Sequence, residues 1–273
     1  MGSLVELNGG TTNHLTLDTQ ARVVHKQFVE GNAVSRDPAQ RVIAEWWSMK
    51  MVGFSPQHKG SLPNGISMGF VEGEKHLQDA VDTYPDHVQQ MVYRQAGDTL
   101  AQIHSVIHAP VTRTYHENHK QKIYSLLQKN TPALIRKGFD PMALLDYFEQ
   151  SYDPQEVEKK GLVWTHGDYW LNNFIGQRTN NHFQFNGVID WELAGMGSPY
   201  EDFAIVEMSI EREHPESKVP FWKGYGEAPE PTLQRHFSAV KILDWMAADD
   251  PMTNGDYSSS WYQEKFALLR ETI

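Results

Sequence analysis

Near the start of the chain, apolar and polar positions alternate with a period of two; over most of the remaining length, the period is close to 3.6. Leu4 to Leu7 is a short apolar run that ends in Asn8-Gly9-Gly10-Thr11-Thr12-Asn13. His14 to Leu17 and Arg22 to Val29 then read as strands, joined by a turn at Asp18-Thr19-Gln20. Asp37-Pro38 starts a helix, with the Asp as cap and the Pro in the first turn. From there Val42, Ile43, Trp46 and Met49 recur at helical spacing. Gly53 to Pro63 carries loop signals, and Ile66 to Val71 reads as a strand leading into Glu72-Gly73-Glu74. Beyond it the pattern is mostly helical. Val88, Met91, Val92, Leu100, Ile103 and Ile107 mark a long buried helix over Asp86 to His108, and Pro141 to Tyr152 is a further amphipathic segment. Thr232 to Ala248 and Ser259 to Thr272 read as the closing helices.

One stretch breaks this rhythm and carries the candidate chemistry. After a polar approach over Asp153 to Gly161, an apolar run from Leu162 ends in His166-Gly167-Asp168, with Asn173 five residues after the Asp. A second, alternating run from Phe183 to Ile189 ends in Asp190. Two acids and an Asn delivered by short strand ends suggest Mg²⁺-dependent phosphoryl transfer, in which a carboxylate accepts a hydroxyl proton and oxygen ligands hold the metal.

Composition narrows the picture. The chain has 273 residues, 40% hydrophobic and 11% aromatic, as suits a globular protein of one domain or two closely packed lobes. A formal charge of −11 argues against nonspecific nucleic-acid binding, so no nucleic-acid partner is expected. It also works against binding an anion such as ATP, so a nucleotide site has to rely on a local Lys, backbone amides and a metal. There are no cysteines, which excludes disulfides and thiolate chemistry. No run approaches eighteen apolar residues, so a cytoplasmic protein without a membrane partner is the default expectation.

The spacing His166-Gly167-Asp168-x-x-x-x-Asn173, followed by Ile189-Asp190-Trp191-Glu192 and by Gly197 to Ala204, resembles the aminoglycoside phosphotransferase and choline kinase family. In protein kinases the corresponding signatures are H-R-D-x-x-x-x-N and D-F-G. The resemblance implies an α+β, protein-kinase-like two-lobed fold. A small antiparallel-sheet lobe over residues 1–73 would bind nucleotide, and a larger, mostly helical lobe over 74–273 would carry the catalytic and acceptor-binding residues. It also implies the cofactors ATP and Mg²⁺, and a set of roles. Asp168 would be the catalytic base and His166 a buttress of its loop, while Asn173 and Asp190 would be metal ligands. The Gly9, Gly10, Thr11, Thr12 and Asn13 turn would approach the phosphates, and Lys26 would pair with them and with Glu45. Met68, Gly69, Phe70 and Val71 would form the hinge that meets the adenine. Glu192 stands either as a further metal or supporting contact or as a surface acid, and Asp202 as a structural residue. His104 reads as a packed histidine, and His116-Glu117-Asn118-His119 as an exposed helical start, since it lacks the H-E-x-x-H spacing of a zinc pair.

Eight residues, Trp191 to Ser198, separate Asp190 from Pro199, with no activation segment to present a polypeptide. The acceptor is therefore expected to be a small molecule with a hydroxyl. Trp170, Asp244 and Trp245, with Asp249, Asp250, Trp261 and Tyr262 nearby, combine acids and aromatic faces that suit a cation; alternatively Trp245 is core and Asp249-Asp250 ends a helix. The expectation leans to a choline- or ethanolamine-type amino alcohol, partly from Asp190-Trp191-Glu192-x-Ala194-Gly195-Met196-Gly197. Aminoglycosides, thiamine and sugars are the alternatives, and a nucleotide-binding scaffold with little catalysis is the alternative of another class.

Overall fold

The computed structural model describes residues 4–7, 13–29, 37–73, 77–179, 182–212, 214–253 and 259–273. Gly9, Gly10, Thr11 and Thr12, and the side chains of Asp249, Asp250 and Trp261, lie outside the described residues.

The N-terminal lobe is an antiparallel sheet of β1 (Leu4–Leu7), β2 (Asn13–Asp18), β3 (Val23–Phe28), β4 (His58–Leu62) and β5 (Gly65–Gly69), in the order β1-β2-β3-β5-β4. Lys26 in β3 lies opposite Leu15 on one side and Ile66 on the other, in the middle of the sheet. The loop expected over Gly53 to Pro63 is in part β4, an edge strand. Its polar sequence conceals it, because an edge strand has only one ladder to make and both faces can stay wet.

Helix α1 (Pro38–Met51) lies between β3 and β4 in the chain. Asp37 caps it, its Oδ1 accepting from Gln40 N at 2.8 Å. The face it buries is the polar one: Arg41, Ala44, Glu45 and Ser48 are inside, while Ile43 is 56% and Trp47 46% exposed. The apolar periodicity identified the helix correctly but not its inner face, because charged residues on that face find partners across the lobe boundary.

The helical lobe begins with α2 (Leu77–Val81) and α3 (Asp86–Ser105) and continues through β6 (His108–Ala109), α4 (Arg113–Arg136) and α5 (Pro141–Ser151). The polar approach to the catalytic stretch is itself a short helix, α6 (Pro154–Lys160), capped by Asp153 through Gln155 N and Glu156 N. Then come β7 (Leu162–Thr165), the hairpin β8 (Phe174–Thr179) and β9 (His182–Val188), and β10 (Gly195–Gly197). Helices α7 (Tyr200–Val206), α8 (Lys218–Tyr225), α9 (Pro231–Thr253) and α10 (Ser260–Thr272) close the chain. β7 pairs with β6 and β10, and β8 pairs with β9. Their turns rest on a core of Tyr169, Phe174, Trp191, Tyr200 and Phe203, each nearly or wholly buried. The hairpin meets the small lobe where Val188 N donates to Phe54 O at 3.1 Å and the rings of Phe54 and Phe185 stand edge to face. Strand ends β7 and β9 thereby open toward β3 and α1.

Candidate active site

The loop after β7 is held by one buried carboxylate. Asp202, in the first turns of α7, accepts from His166 N at 2.8 Å and Gly167 N at 2.7 Å, and from His104 Nε2 of α3 at 3.0 Å. Burial alone would push this carboxyl up; the His104 contact and the two backbone amides outweigh it and hold the group below its ordinary value. Asp202 and His104 are thus the structural residues their sequence positions suggested. Gly167 has φ 81°, and a Cβ there would lie 2.4 Å from Leu193 O, so the glycine of His166-Gly167-Asp168 is required by backbone conformation and by the close approach of the neighbouring loop.

Both nitrogens of His166 are committed. Nε2 meets Ile189 O at 3.0 Å, and Nδ1 accepts from Asp168 N at 3.2 Å, so the ring ties the β7 loop to the end of β9. Asp168 Oδ1 accepts from Trp170 Nε1 at 2.7 Å, and Asn173 Nδ2 donates to Asp168 O at 2.8 Å. A backbone carbonyl can only accept, so the atom facing it is the amide nitrogen, and the Asn173 amide oxygen is left for a cation. Burial raises the Asp168 carboxyl above its ordinary value; the Lys241 ammonium pulls it down and Asp190 pushes it up.

The two motif halves are joined through backbone: Ile189 N donates to Asn173 O at 2.9 Å, directly before Asp190. Asp190 has φ 67°, a left-handed conformation uncommon for a residue with a side chain. Its carboxylate pairs with Lys26 Nζ, which also meets Glu45 Oε1 at 2.5 Å and Glu192 Oε2 at 3.0 Å. Glu192 Oε2 further accepts from Arg41 at 2.8 Å and from Asn13 Nδ2 at 2.9 Å, and the Arg41 guanidinium lies 4.5 Å from the Phe28 ring centre. Burial would lower the Lys26 ammonium, but Asp190, Glu45 and Glu192 around it hold it well above its ordinary value. Burial keeps Glu45 raised in spite of Lys26. For Asp190, burial pushes up and Lys26 more than reverses it, leaving the group low.

This set suits a hard divalent cation. Oxygens of Glu45, Asp190 and Glu192 lie within 4.8 Å of one another, Glu45 Oε2 is buried with no hydrogen-bond partner among the described residues, and Asp190 keeps 33% exposure. All the donors are oxygen, with no imidazole or thiolate among them.

Of the remaining site expectations, Met68 lies within the β3 and β4 ladders, and the N–H groups of Gly69 and Phe70 are spent on Gln57 O at 2.7 Å and Arg22 O at 2.9 Å. Among these four, Val71 alone has an N–H with no partner among the described residues. Trp170 and Trp245 pack with ring centres 5.8 Å apart, while Asp244 is bonded to Lys122 at 2.9 Å. Trp245 is half-buried, and the ammonium groups of Lys265 and Lys241 lie 5.1 and 5.8 Å from its ring centre. Glu192 is buried, not a surface acid. His119 is also buried, against His236, so the expected exposed start of α4 is exposed only in part. Arg41 and Lys241 went unnoticed in the sequence. Arg41 stands four residues before Glu45, a spacing that puts both on one helix face; nothing local marks Lys241.

A profile of the phosphotransferase enzyme family matches residues 64–236. A search of curated proteins finds no match. Among solved structures, aminoglycoside 2'-phosphotransferase-IIIa in its GDP complex superposes with a TM-score of 0.72 at 16% identity, over 99% of this chain and 92% of that one. A choline/ethanolamine kinase family protein from Mesorhizobium loti gives 0.64 at 15% identity, over 100% and 88%. The ADP-bound aminoglycoside phosphotransferase APH(2'')-Ib gives 0.61 at 17% identity, over 100% and 92%. At such identities these likenesses speak for the kinase-like fold. The profile spans more than half of the chain and includes both motif halves, and on it the chain belongs to the phosphotransferase enzyme family.

Proposed function

We propose that this phosphotransferase moves the γ-phosphoryl group of ATP to a hydroxyl of a small molecule, with Asp168 as the base. The observation that carries this reading is the joining of four elements at one point: Lys26 of β3 and Glu45 of α1 meet Asp190 after β9, and Asp190 is tied through Ile189 and Asn173 to the loop that holds Asp168. In this reading Lys26, fixed by Glu45, presents its charge to the α- and β-phosphates, while the N–H of Val71 is available to the adenine edge. Asn173 and Asp190 would hold Mg²⁺, which supplies positive charge to phosphate oxygens as the bond to the leaving group lengthens. Asp168 orients the acceptor hydroxyl and takes its proton; Trp170 and Asn173 fix the loop geometry for that task. His166, with both nitrogens engaged, buttresses the loop and does not transfer protons.

The short link between Asp190 and α7 supports a small acceptor over a polypeptide. The lean to a choline- or ethanolamine-type amino alcohol draws on Asp190-Trp191-Glu192 and on the Trp170–Trp245 pair; aminoglycosides, thiamine and sugars are its rivals. Aminoglycoside phosphotransferases described with bound kanamycin or gentamicin share the fold at 17% identity.

The test is Asp168→Asn. It should reduce Mg-ATP-dependent phosphoryl transfer by about 10²-fold or more while nucleotide affinity, read by calorimetry, stays within about threefold. Equal turnover by mutant and parent would remove Asp168 from the chemistry. Nucleotide binding with no transfer to any acceptor of a broad panel would favour the scaffold.

A further inference from the structure

Next to the catalytic loop is a cavity of about 220 Å³, walled by Gly167, by Tyr115, His119 and Lys122 of α4, by Glu201, and by Lys241 of α9. Lys241 is half-buried, and its Nζ donates to Gly167 O at 3.1 Å, one residue from Asp168. Among the described residues no carboxylate lies within ion-pair distance of it. Its charge acts on the Asp168 carboxyl from beyond that distance, and Gly167 O takes one of its three N–H donors, so it has donors to offer a ligand.

Two other charged side chains line the cavity, Lys122 and Glu201. Lys122 brings a second ammonium, half-exposed, whose partner Asp244 is not part of the wall. Glu201 is the acid among the lining residues; it is exposed, and its Oε1 is engaged, accepting from Tyr115 OH and Ser198 N at 3.0 and 3.3 Å. Desolvation raises its carboxyl above the ordinary value, and Lys122 pulls it down. The face of Trp245, the natural seat for a substrate cation, already has Lys241 and Lys265 beside it. The volume is below the roughly 300–1,000 Å³ of drug-sized pockets, which favours a compact ligand over a multi-ring one.

We infer that this cavity is the acceptor site, and that the acceptor is a compact hydroxyl compound bearing an oxyanion, carboxylate or phosphate, held by Lys241 and Lys122 with its hydroxyl toward Asp168. The inference rests on the phosphotransfer reading given above and replaces its lean to a cationic amino alcohol with an anionic acceptor.

Four small probes separate the possibilities: D-glycerate and glycerol 3-phosphate as the two oxyanions, glycerol as the neutral analogue and choline as the cation. Binding to the full chain is read by calorimetry in the presence of a non-hydrolysable ATP analogue, and transfer by Mg-ATP-dependent ADP release. At least one oxyanion should bind about tenfold or more tightly than glycerol or choline, and which of the two does so identifies the anionic group. Lys122→Met should weaken that binding about tenfold and raise KM with little change in kcat; Lys241→Met should weaken it by a similar factor and also change kcat, because its charge lowers Asp168, and Lys241→Arg restores most of the binding. Melting temperatures close to the parent's certify the folded state of each variant.

The inference is overturned by preferential binding of choline or glycerol, by equal or absent binding of all four probes, or by an oxyanion preference that survives both Met substitutions. It is also overturned if Lys241→Met lowers kcat but leaves oxyanion binding unchanged, since the ammonium would then serve the loop and its base alone. Asp168-dependent turnover of choline would keep the phosphotransfer reading and discard the oxyanion. Lysine-dependent oxyanion binding without transfer would keep the cavity assignment and discard the phosphotransfer reading.

Discussion

Arg41 shows how a single side chain can be decisive at the candidate site without touching a substrate. It is 1% exposed, donates to Glu192 at 2.8 Å and to Asn13 Oδ1 at 2.5 Å, and covers the Phe28 ring. Three carboxylates, Glu45, Asp190 and Glu192, face two cations, Lys26 and Arg41, so removing either cation adds to an uncompensated negative charge. Arg41→Met should therefore cost about 3–5 kcal/mol of folding stability, measured by urea denaturation. It should also weaken nucleotide binding, because Lys26 would be drawn further toward Glu192. A loss below about 1 kcal/mol would show that the cluster is wet enough to screen itself. Lys26, Glu45, Asp168, Asn173 and Asp190 could be picked out as candidates from the sequence, by motif spacing or by place in a strand or helix, and the structure brings Lys26, Glu45 and Asp190 into contact. Arg41 and the depth of Glu192 could not, because an arginine or glutamate on a helix or loop is ordinarily solvated, and only the partner 151 positions away buries it.

Between the elements, the crossing of α3 and α8 is the tightest constraint on the site. A Cβ on Gly97 would lie 2.0 Å from Phe221 O, and one on Gly224 would lie 2.0 Å from Arg94 O, so the two helix backbones touch at paired glycines. His104, two turns further along α3, reaches Asp202 and through it the amides of His166 and Gly167. Gly97→Ala should thus force the helices apart at a cost of about 3 kcal/mol or more, and lower kcat as the loop loses its anchor. Unchanged stability in chemical denaturation would mean that the crossing yields more easily than its geometry implies. Periodicity in the sequence found α1, α3, α5, α9 and α10, since each needs only its own apolar stripe and caps to be recognised. It missed the strand character of β4 and the short helix α6, whose sequences are polar and whose order comes from neighbours. Of the apolar positions it marks on α1, Ile43 is left 56% exposed, for the same reason that Arg41 was missed.

At the scale of the whole molecule, acid stability reports on the buried pair of His119 on α4 and His236 on α9, whose Nε2 atoms are 2.8 Å apart. His236 Nδ1 is bonded to Ser151 Oγ of α5 at 2.9 Å, so the pair links three helices. Burial, helped by Lys122 and His116 for His119 and by His119 for His236, lowers both groups to about 3. Unfolded histidines take up protons near 6.5, so the unfolded state binds more protons between those values. The contribution is present above pH ~6.5 and is lost as pH falls toward 3, at up to ~1.4 kcal/mol per pH unit for each histidine. Unfolding free energies measured from pH 7 to pH 4 should fall accordingly, and His119→Leu should flatten the slope. A flat profile in the parent protein would mean that the pair is hydrated.

The sequence by itself determined the family, the strands and helices that carry their own periodicity or caps, and the set of residues in the two motif halves. These depend on spacing, caps and periodicity, all set within a few tens of residues. The tertiary structure alone decided which charges are buried and with whom. Lys26 meets Asp190 across 164 positions, and Lys241 reaches Gly167 across 74. It also decided the local charges: a chain with a net charge of −11 places Lys122 and Lys241, with Glu201, around the cavity beside the catalytic loop, because electrostatic potential at short range follows the nearest charges and their burial, not the sum over the chain.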